Sequence, residues 1–186
     1  TSSVTLHTQD GQTINAKLIV IADGGRSPWA ETLGFEQHQD DYGQTAIICN
    51  VETSEPHNNW AYERFTPNGP LAFLPFDGGE EGSKTHGYSV VWTLEHARAK
   101  QLVSASDREF IQALQATFGY RQGMITKLGA RVHYPLALQT KAQLHTHRAV
   151  VVGNAAQTLH PIAGQGFNLG LRDVAELASV LSNKAD

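Results

Sequence analysis

Two stretches of this 186-residue sequence carry residue types whose spacing could do chemistry. The richer one spans residues 153–173 and includes Gly153, Asn154, Ala155, His160, Pro161, Gly164, Gln165, Gly166, Phe167, Asn168, Gly170 and Asp173. Small residues after an apolar run keep the backbone open to a ligand. Pro161 stiffens the loop, and Gly164 and Gly166 free amides immediately before a helix start. Those amides, with the helix dipole, stabilise negative charge on whatever lies above them. The other use for such glycines is close helix packing without a ligand. In the second stretch, residues 18–27, Asp23 closes an apolar run at the position where α/β sheets bind ligands. Gly24 and Gly25 permit close backbone approach, and the helix start that follows offers a positive dipole end to an anion. Alone, this stretch fits equally well a strand, a tight Asp-Gly turn and a capped helix that bind nothing.

Several other chemistries lack support. The spacing Gly164, Gly166, Gly170 mimics a dinucleotide fingerprint, but that fingerprint follows directly on its strand, and here the strand ends near Gly153. Nine histidines show no HExxH spacing and no cysteine partner, so no metal is expected. His160 stands out because it sits inside the glycine loop, where its expected role is hydrogen bonding that holds the loop's shape. Cys49 lies in an apolar strand and reads as core. Without a Gly-x-Ser-x-Gly elbow, a hydrolase triad is unsupported.

The elements that must position these residues follow from periodicity. Residues 4–8 and 13–16 alternate like a hairpin around an Asp10-Gly11 two-residue turn. Residues 17–22 form a continuous apolar run, expected to be a strand covered on both faces. Ser27 followed by Pro28 starts a short helix that Gly34 stops. The middle is β-rich, with strands expected over 45–51, 60–65, 70–76, 86–94 and 124–138 and a mobile connection over 77–84. One helix interrupts them: Ser106 and Glu109 form a capping box, and Phe110, Ile111, Leu114 and Phe118 make its apolar stripe. Residues 148–153 form a second buried-type strand, and a final helix places Leu171, Val174, Leu177, Ala178 and Leu181 on one face. One α/β domain interrupted by a β-rich insert fits this order.

Composition narrows the partners. Lys+Arg 14 against Asp+Glu 18 gives −4, and the positive residues are scattered, so nucleic acid is not an expected partner. A single cysteine excludes an intramolecular disulfide. The longest apolar runs, 18–22 and 149–153, are too short to span a bilayer, so no transmembrane segment is expected. The sequence opens on Thr1 without a leader, and its only methionine is Met124, which suggests a piece of a longer protein.

Residues 19–27 resemble the DG motif of the flavin-dependent aromatic hydroxylases. Gly153-Asn154 through Pro161, Gly164-Gln165-Gly166, Asn168 and Asp173 resemble their GD motif. Within that family the second string is most similar to the ubiquinone-biosynthesis hydroxylases, of the 2-octaprenyl-6-methoxyphenol hydroxylase type. Residues 63–75 and 134–138 are similar to their substrate-domain strands. The resemblance implies an α/β fold, namely an incomplete FAD-binding domain (residues 1–40 and 141–186) into which a β-rich mixed-sheet substrate domain (41–140) is inserted. It also implies an FAD-dependent monooxygenase that uses NAD(P)H and O2 to hydroxylate a polyprenylated phenol, with other ubiquinone-biosynthesis proteins as partners. The implied location is cytoplasmic, peripheral at the inner membrane surface. Asp23 and Gly24 are then expected to support the pyrophosphate region. Asn154, Ala155, Pro161, Gly164, Gln165, Gly166, Phe167 and Asn168 are expected to contact FAD, the helix start facing the flavin ring. No protein acid, base or nucleophile is assigned, because the chemistry belongs to the cofactor.

Two departures matter. The general motif has Asp where Asn154 stands, and the Ser-x-x-Arg ending of the DG motif is replaced by Ser27-Pro28-Trp29-Ala30. A Gly-x-Gly-x-x-Gly unit before Asp23 is also absent, so the chain alone is expected to bind FAD weakly or not at all and to be inactive. The alternatives are a flavin hydroxylase of a small soluble phenol, or a non-catalytic β module that binds a lipid or a protein.

Overall fold

A computed structural model describes residues 3–77 and 85–183. In chain order its elements are β1 (Val4–His7), β2 (Thr13–Ala16), β3 (Ile19–Ile21), α1 (Pro28–Thr32), β4 (Gln37–Thr53), β5 (Tyr62–Thr66), β6 (Gly69–Pro75) and β7 (Gly87–Glu95). Then come α2 (His96–Val103), α3 (Asp107–Phe118), β8 (Ile125–Leu128), β9 (Val132–Lys141), β10 (His145–Thr146), β11 (Ala149–Val151), β12 (Gln157–Thr158) and α4 (Gln165–Ser182). The chain divides into a split unit, Thr1–Asp41 with Ala137–Asp186, and an inserted unit, Tyr42–Leu136. The architecture is α/β.

The inserted unit is an antiparallel sheet in the order β8-β4-β7-β6-β5. Registers such as Ile47↔Trp92↔Leu71 and Cys49↔Val90↔Phe73 bring alternate residues of three strands onto one buried face. Period-two alternation in the sequence is the cause. Against that face α3 lays Phe110, Leu114 and Phe118, and α2 adds Ala99 and Leu102. Phe118 stacks on Phe73 at 3.7 Å between ring centroids, and Phe110 meets Trp92 edge-on at 5.8 Å. The capping box of α3 forms in both directions between Ser106 and Glu109. Arg131 donates to the carbonyls of Leu102 and Ala105 and to Asp107, and lies 5.0 Å over the Phe110 ring, which ties the α2–α3 corner together.

The split unit contains the sheet β10-β11-β3, in which β11 runs parallel to β3 with Val151 opposite Ile21. A parallel pair needs a crossover connection, and here the connecting chain includes the whole inserted unit. Ile21, Ala30, Phe35, Ala149, Val151, Ala155 and Ala156 form its core.

Five local expectations require correction. The β1–β2 connection is a five-residue loop closed by Thr8 and Gln12 rather than a two-residue turn; the Thr8 hydroxyl accepts the Gln12 amide and ends the ladder early. Two helices interrupt the strands, not one: α2 lacks a side-chain cap, so nothing in the sequence announces its start. The expected strand over 124–138 is two strands, broken at Gly129, whose amide donates to the Asn50 carbonyl. β4 starts at Gln37, within polar sequence, because Gln37 and Gln39 are partnered by Lys141 and Gln139. The 17–22 run is not covered on both faces among the described residues: Ile21 is buried, whereas Val20 is 47% exposed. Residues 78–84 of the expected mobile connection lie outside the described residues.

Truncating Phe73 to Ala removes both its burial and its stack on Phe118, and is expected to destabilise by about 3–5 kcal/mol in urea unfolding. Ser106→Ala, which removes only the cap, is expected to lose about 1 kcal/mol.

Candidate functional site

The residues after β3 are shaped by a cap. Ser27 accepts the Ala30 amide at 3.0 Å and donates to Asp23 Oδ2 at 3.0 Å, so the helix start of α1 fixes the Asp23 carboxylate. Gly24 adopts φ +93, a conformation that favours glycine. Gly25 matters for a different reason: a Cβ there would stand 2.7 Å from Thr158 Oγ1 and 3.2 Å from Gln139 Oε1, so those side chains would have to shift. The Asp23 loop therefore lies directly against β12.

The second motif is built around the approach of α4 to the end of β11. Gly153, at φ +59, donates its amide to Asp173 Oδ2 at 3.0 Å. One turn before Asp173 on the same helix, a Cβ at Gly170 would come within 3.2 Å of Gly153 Cα. The chain between them passes through two short 3-10 turns, Gly153–Ala155 and Ile162–Gly164. Gly164 then caps α4 in the left-handed conformation at φ +61, with no side-chain cap. The first amides of this 18-residue helix therefore receive no side-chain acceptor, and they add to its positive dipole end.

Both motifs open onto one cleft of about 600 Å³ within the split unit. Of the residues singled out in the sequence, Gly24, Asn154, Pro161, Gly166 and Phe167 line it. Asp23, Gly164, Gln165 and Asn168 do not, and Ala155 is buried in the core. Sequence reasoning missed Thr158, Leu159, Leu171 and Val174, which also line it. Leu171 and Val174 read as core positions by periodicity, yet they are exposed and face the cleft. The signal that could have found them is Gly170, whose helical position next to them has no side chain. His160 also lines the cleft, and burial pushes its imidazole below the ordinary value.

The donor set suits a large ligand with an electron-rich polar part and a flat apolar part. Uncapped amides, the Asn154 amide and the Thr158 hydroxyl supply polar contacts, while Phe167, Leu171 and Val174 supply apolar surface. A Cβ placed at Gly24, Gly164 or Gly166 meets nothing within 4 Å, so the backbone there is open to close approach. A dinucleotide flavin fits that description. Elsewhere, burial raises the Cys49 thiol to about 11, which leaves it protonated and unreactive at neutral pH. Among the described residues, no group of three or more His, Cys, Asp or Glu side chains is arranged to hold a metal ion. Nor is any described helix long and apolar enough to cross a membrane.

Comparison with known proteins converges on the same ligand. The chain is 41% identical over 172 residues to the ubiquinone hydroxylase UbiL of Rhodospirillum rubrum, covering 92% of this chain and 38% of that protein. It is 35% identical to the 3-demethoxyubiquinol 3-hydroxylase of Escherichia coli, covering 96% and 44% respectively. With the human mitochondrial ubiquinone biosynthesis monooxygenase COQ6 it shares 32% identity, over 95% and 43%. The chain thus spans less than half the length of these relatives. Among solved structures, pqsL of Pseudomonas aeruginosa superposes with a TM-score of 0.75 at 17% identity, over 98% of this chain and 51% of that one. The myxobacterial FAD-dependent halogenase CndH gives 0.70 at 13%, over 98% and 44%; both likenesses concern the fold alone. The model of the FAD binding domain family matches residues 1–185, and the chain belongs to that family.

Proposed function

We propose that this chain is part of an FAD-dependent aromatic-ring monooxygenase that hydroxylates a polyprenylated phenol in ubiquinone biosynthesis, with NAD(P)H as reductant. The observation that carries this reading is the cleft where both glycine motifs meet the uncapped start of α4. The names of the relatives supply the pathway and the phenolic substrate class. In this reading residues 1–40 and 141–186 belong to the FAD-binding domain and 41–140 to the substrate domain. The other proteins of the pathway are its partners at a membrane surface.

FAD supplies reduction by the nicotinamide donor and activation of O2 for transfer of one oxygen atom to the ring. The protein's own residues bind and orient. Gly24, with its open backbone, would let the pyrophosphate region approach, and Asp23, held by Ser27, would support that loop from outside the cleft. Asn154 offers a neutral amide to hydroxyl groups where a carboxylate would add charge. The amides of Gly166 and Phe167, in the first turn of α4, would stabilise negative charge on the ring system when it is bound, since the dipole of α4 ends there. Asp173 and Gly170 act at one remove by fixing the start of α4 against Gly153.

Gly166→Leu tests the reading, because the substitution puts a side chain into the cleft while improving helix propensity. In the complete protein that contains this chain, the expected result is at least a tenfold loss of FAD affinity with no loss of thermal stability. Unchanged FAD affinity would overturn the reading. NAD(P)H oxidation by the complete protein is expected to be stimulated by a prenylated phenol more than by a simple one; the reverse preference selects the small-phenol hydroxylase.

His160 supplies a pH signature. Its folded value lies below the ordinary 6.5 because of burial, so below that pH the unfolded chain binds more protons than the folded one. Stability is therefore fully present above pH 6.5 and declines as pH falls toward the folded value. An NMR titration is expected to show a His160 midpoint below 6.5, and His160→Gln to flatten that part of the stability profile. A midpoint at or above 6.5 contradicts the placement of the ring.

A further inference from the structure

The wall of the cleft in the split unit contains one titratable side chain among its described residues. His160 lines it, and His160 is also the only ionisable residue in 149–171. The charged groups on the surrounding elements do not line the cleft, and most are bonded elsewhere. After β3, Asp23 accepts the Ser27 hydroxyl, and Arg26 lies outside the lining. On α4, Asp173 accepts the Gly153 amide, and Arg172 pairs with Glu176 at 3.1 Å. On β9, the neighbour of β12, Lys141 donates to Gln37. Asn154 adds only a neutral amide, so the described wall carries no fixed side-chain charge of either sign.

A wall of this kind can answer a charge on its occupant in one way. Leu159, Pro161, Phe167, Leu171 and Val174 are apolar, so a negative charge that develops against them is poorly solvated and calls for a counter-charge. The first amides of α4 supply a partial one. Among the described lining residues, a full positive charge can come only from a proton on His160. Burial holds its imidazole below the ordinary value, so the ring is neutral near pH 7 and has a proton to gain. An anion about 10 Å away raises an imidazole's pKa by about one unit at an effective dielectric of about 20, and a closer one raises it further.

We propose that His160 is the redox-linked proton site of the cleft: it stays neutral beside a neutral ring system and takes one proton from solvent when that ring accepts a hydride. The hydride of the nicotinamide donor brings two electrons and one proton and leaves the ring with one negative charge, which the proton on His160 balances. The proposal deepens the FAD-hydroxylase reading and rests on it.

The complete protein loaded with FAD, and its His160→Gln variant, would be titrated anaerobically to their midpoint potentials from about pH 6 to 8. Every proton that accompanies the two electrons steepens the fall of potential with pH by the same increment. Between the two His160 midpoints the parent takes up two protons and is expected to show up to twice the slope of the variant, which takes up one. A side chain that only shaped the loop would leave the slope unchanged. His160→Asn, a second neutral replacement, is expected to match His160→Gln. In the parent, NMR of ring-labelled histidine is expected to move the His160 midpoint upward by about one pH unit or more when dithionite reduces the cofactor. Equal slopes in parent and variants, or a His160 midpoint that reduction leaves in place, overturns the proposal and leaves the FAD reading standing. A complete protein that takes up no FAD overturns both.

Discussion

The close approach of Gly170 to Gly153 governs the rest of the cleft. A single methyl at Gly170 would stand 3.2 Å from the Gly153 Cα, closer than an ordinary contact, and Gly153 itself takes the left-handed φ +59 that favours glycine. Given that contact, Asp173 arrives one turn later within reach of the Gly153 amide and locks the register. The first turn of α4 then points its uncapped amides at the space beside Asn154 and Gly24. A Cβ at Gly170 would force the helix start and the end of β11 apart by a few tenths of an ångström. Gly25 does the same work on the other motif, since it lets the Asp23 loop lie against Thr158.

The inserted unit is organised on the opposite principle. Where the split unit uses absent side chains to make space, the inserted unit fills its interior with large ones: Phe73 on Phe118, Phe110 on Trp92, with Tyr88 and Leu114 fully buried. Interiors packed in this way transmit little motion and tolerate little change of volume. The one thiol in that interior is held at about 11 by burial, opposed only in part by Arg131, so Cys49 packs rather than reacts at neutral pH. A stiff sheet of this kind can hold loops in strained conformations, as it does at Asn58 and Asn59.

Local codes were legible in the sequence, and codes that depend on distant partners were not. Ser106 and Glu109 bond within one turn, so the start of α3 could be read directly. The same holds for Ser27 and Pro28 at α1. α2 carries no such pair, and only its packing against the inserted sheet decides that His96 begins a helix. The polar opening of β4 is stabilised by Lys141 and Gln139, residues about a hundred positions away, and no window of sequence contains that information. At the cleft, the glycines and Pro161 marked the backbone correctly as open. Periodicity, however, assigned Leu171 and Val174 to a core, because a helix face that meets a ligand and one that meets protein have the same pattern.

That ambiguity has an energetic counterpart. The core of the split unit contains four alanines among its seven buried members, whereas α4 buries none of its described residues. Small side chains bury little apolar area, and each square ångström contributes only about 25 cal/mol. The helix that forms the cleft is thus held chiefly by the Gly153–Gly170 approach and the Asp173 hydrogen bond, with its apolar face still open to whatever binds there. A ligand that covers Leu171 and Val174 supplies burial that the split unit does not supply itself, so occupancy and stability are thermodynamically linked.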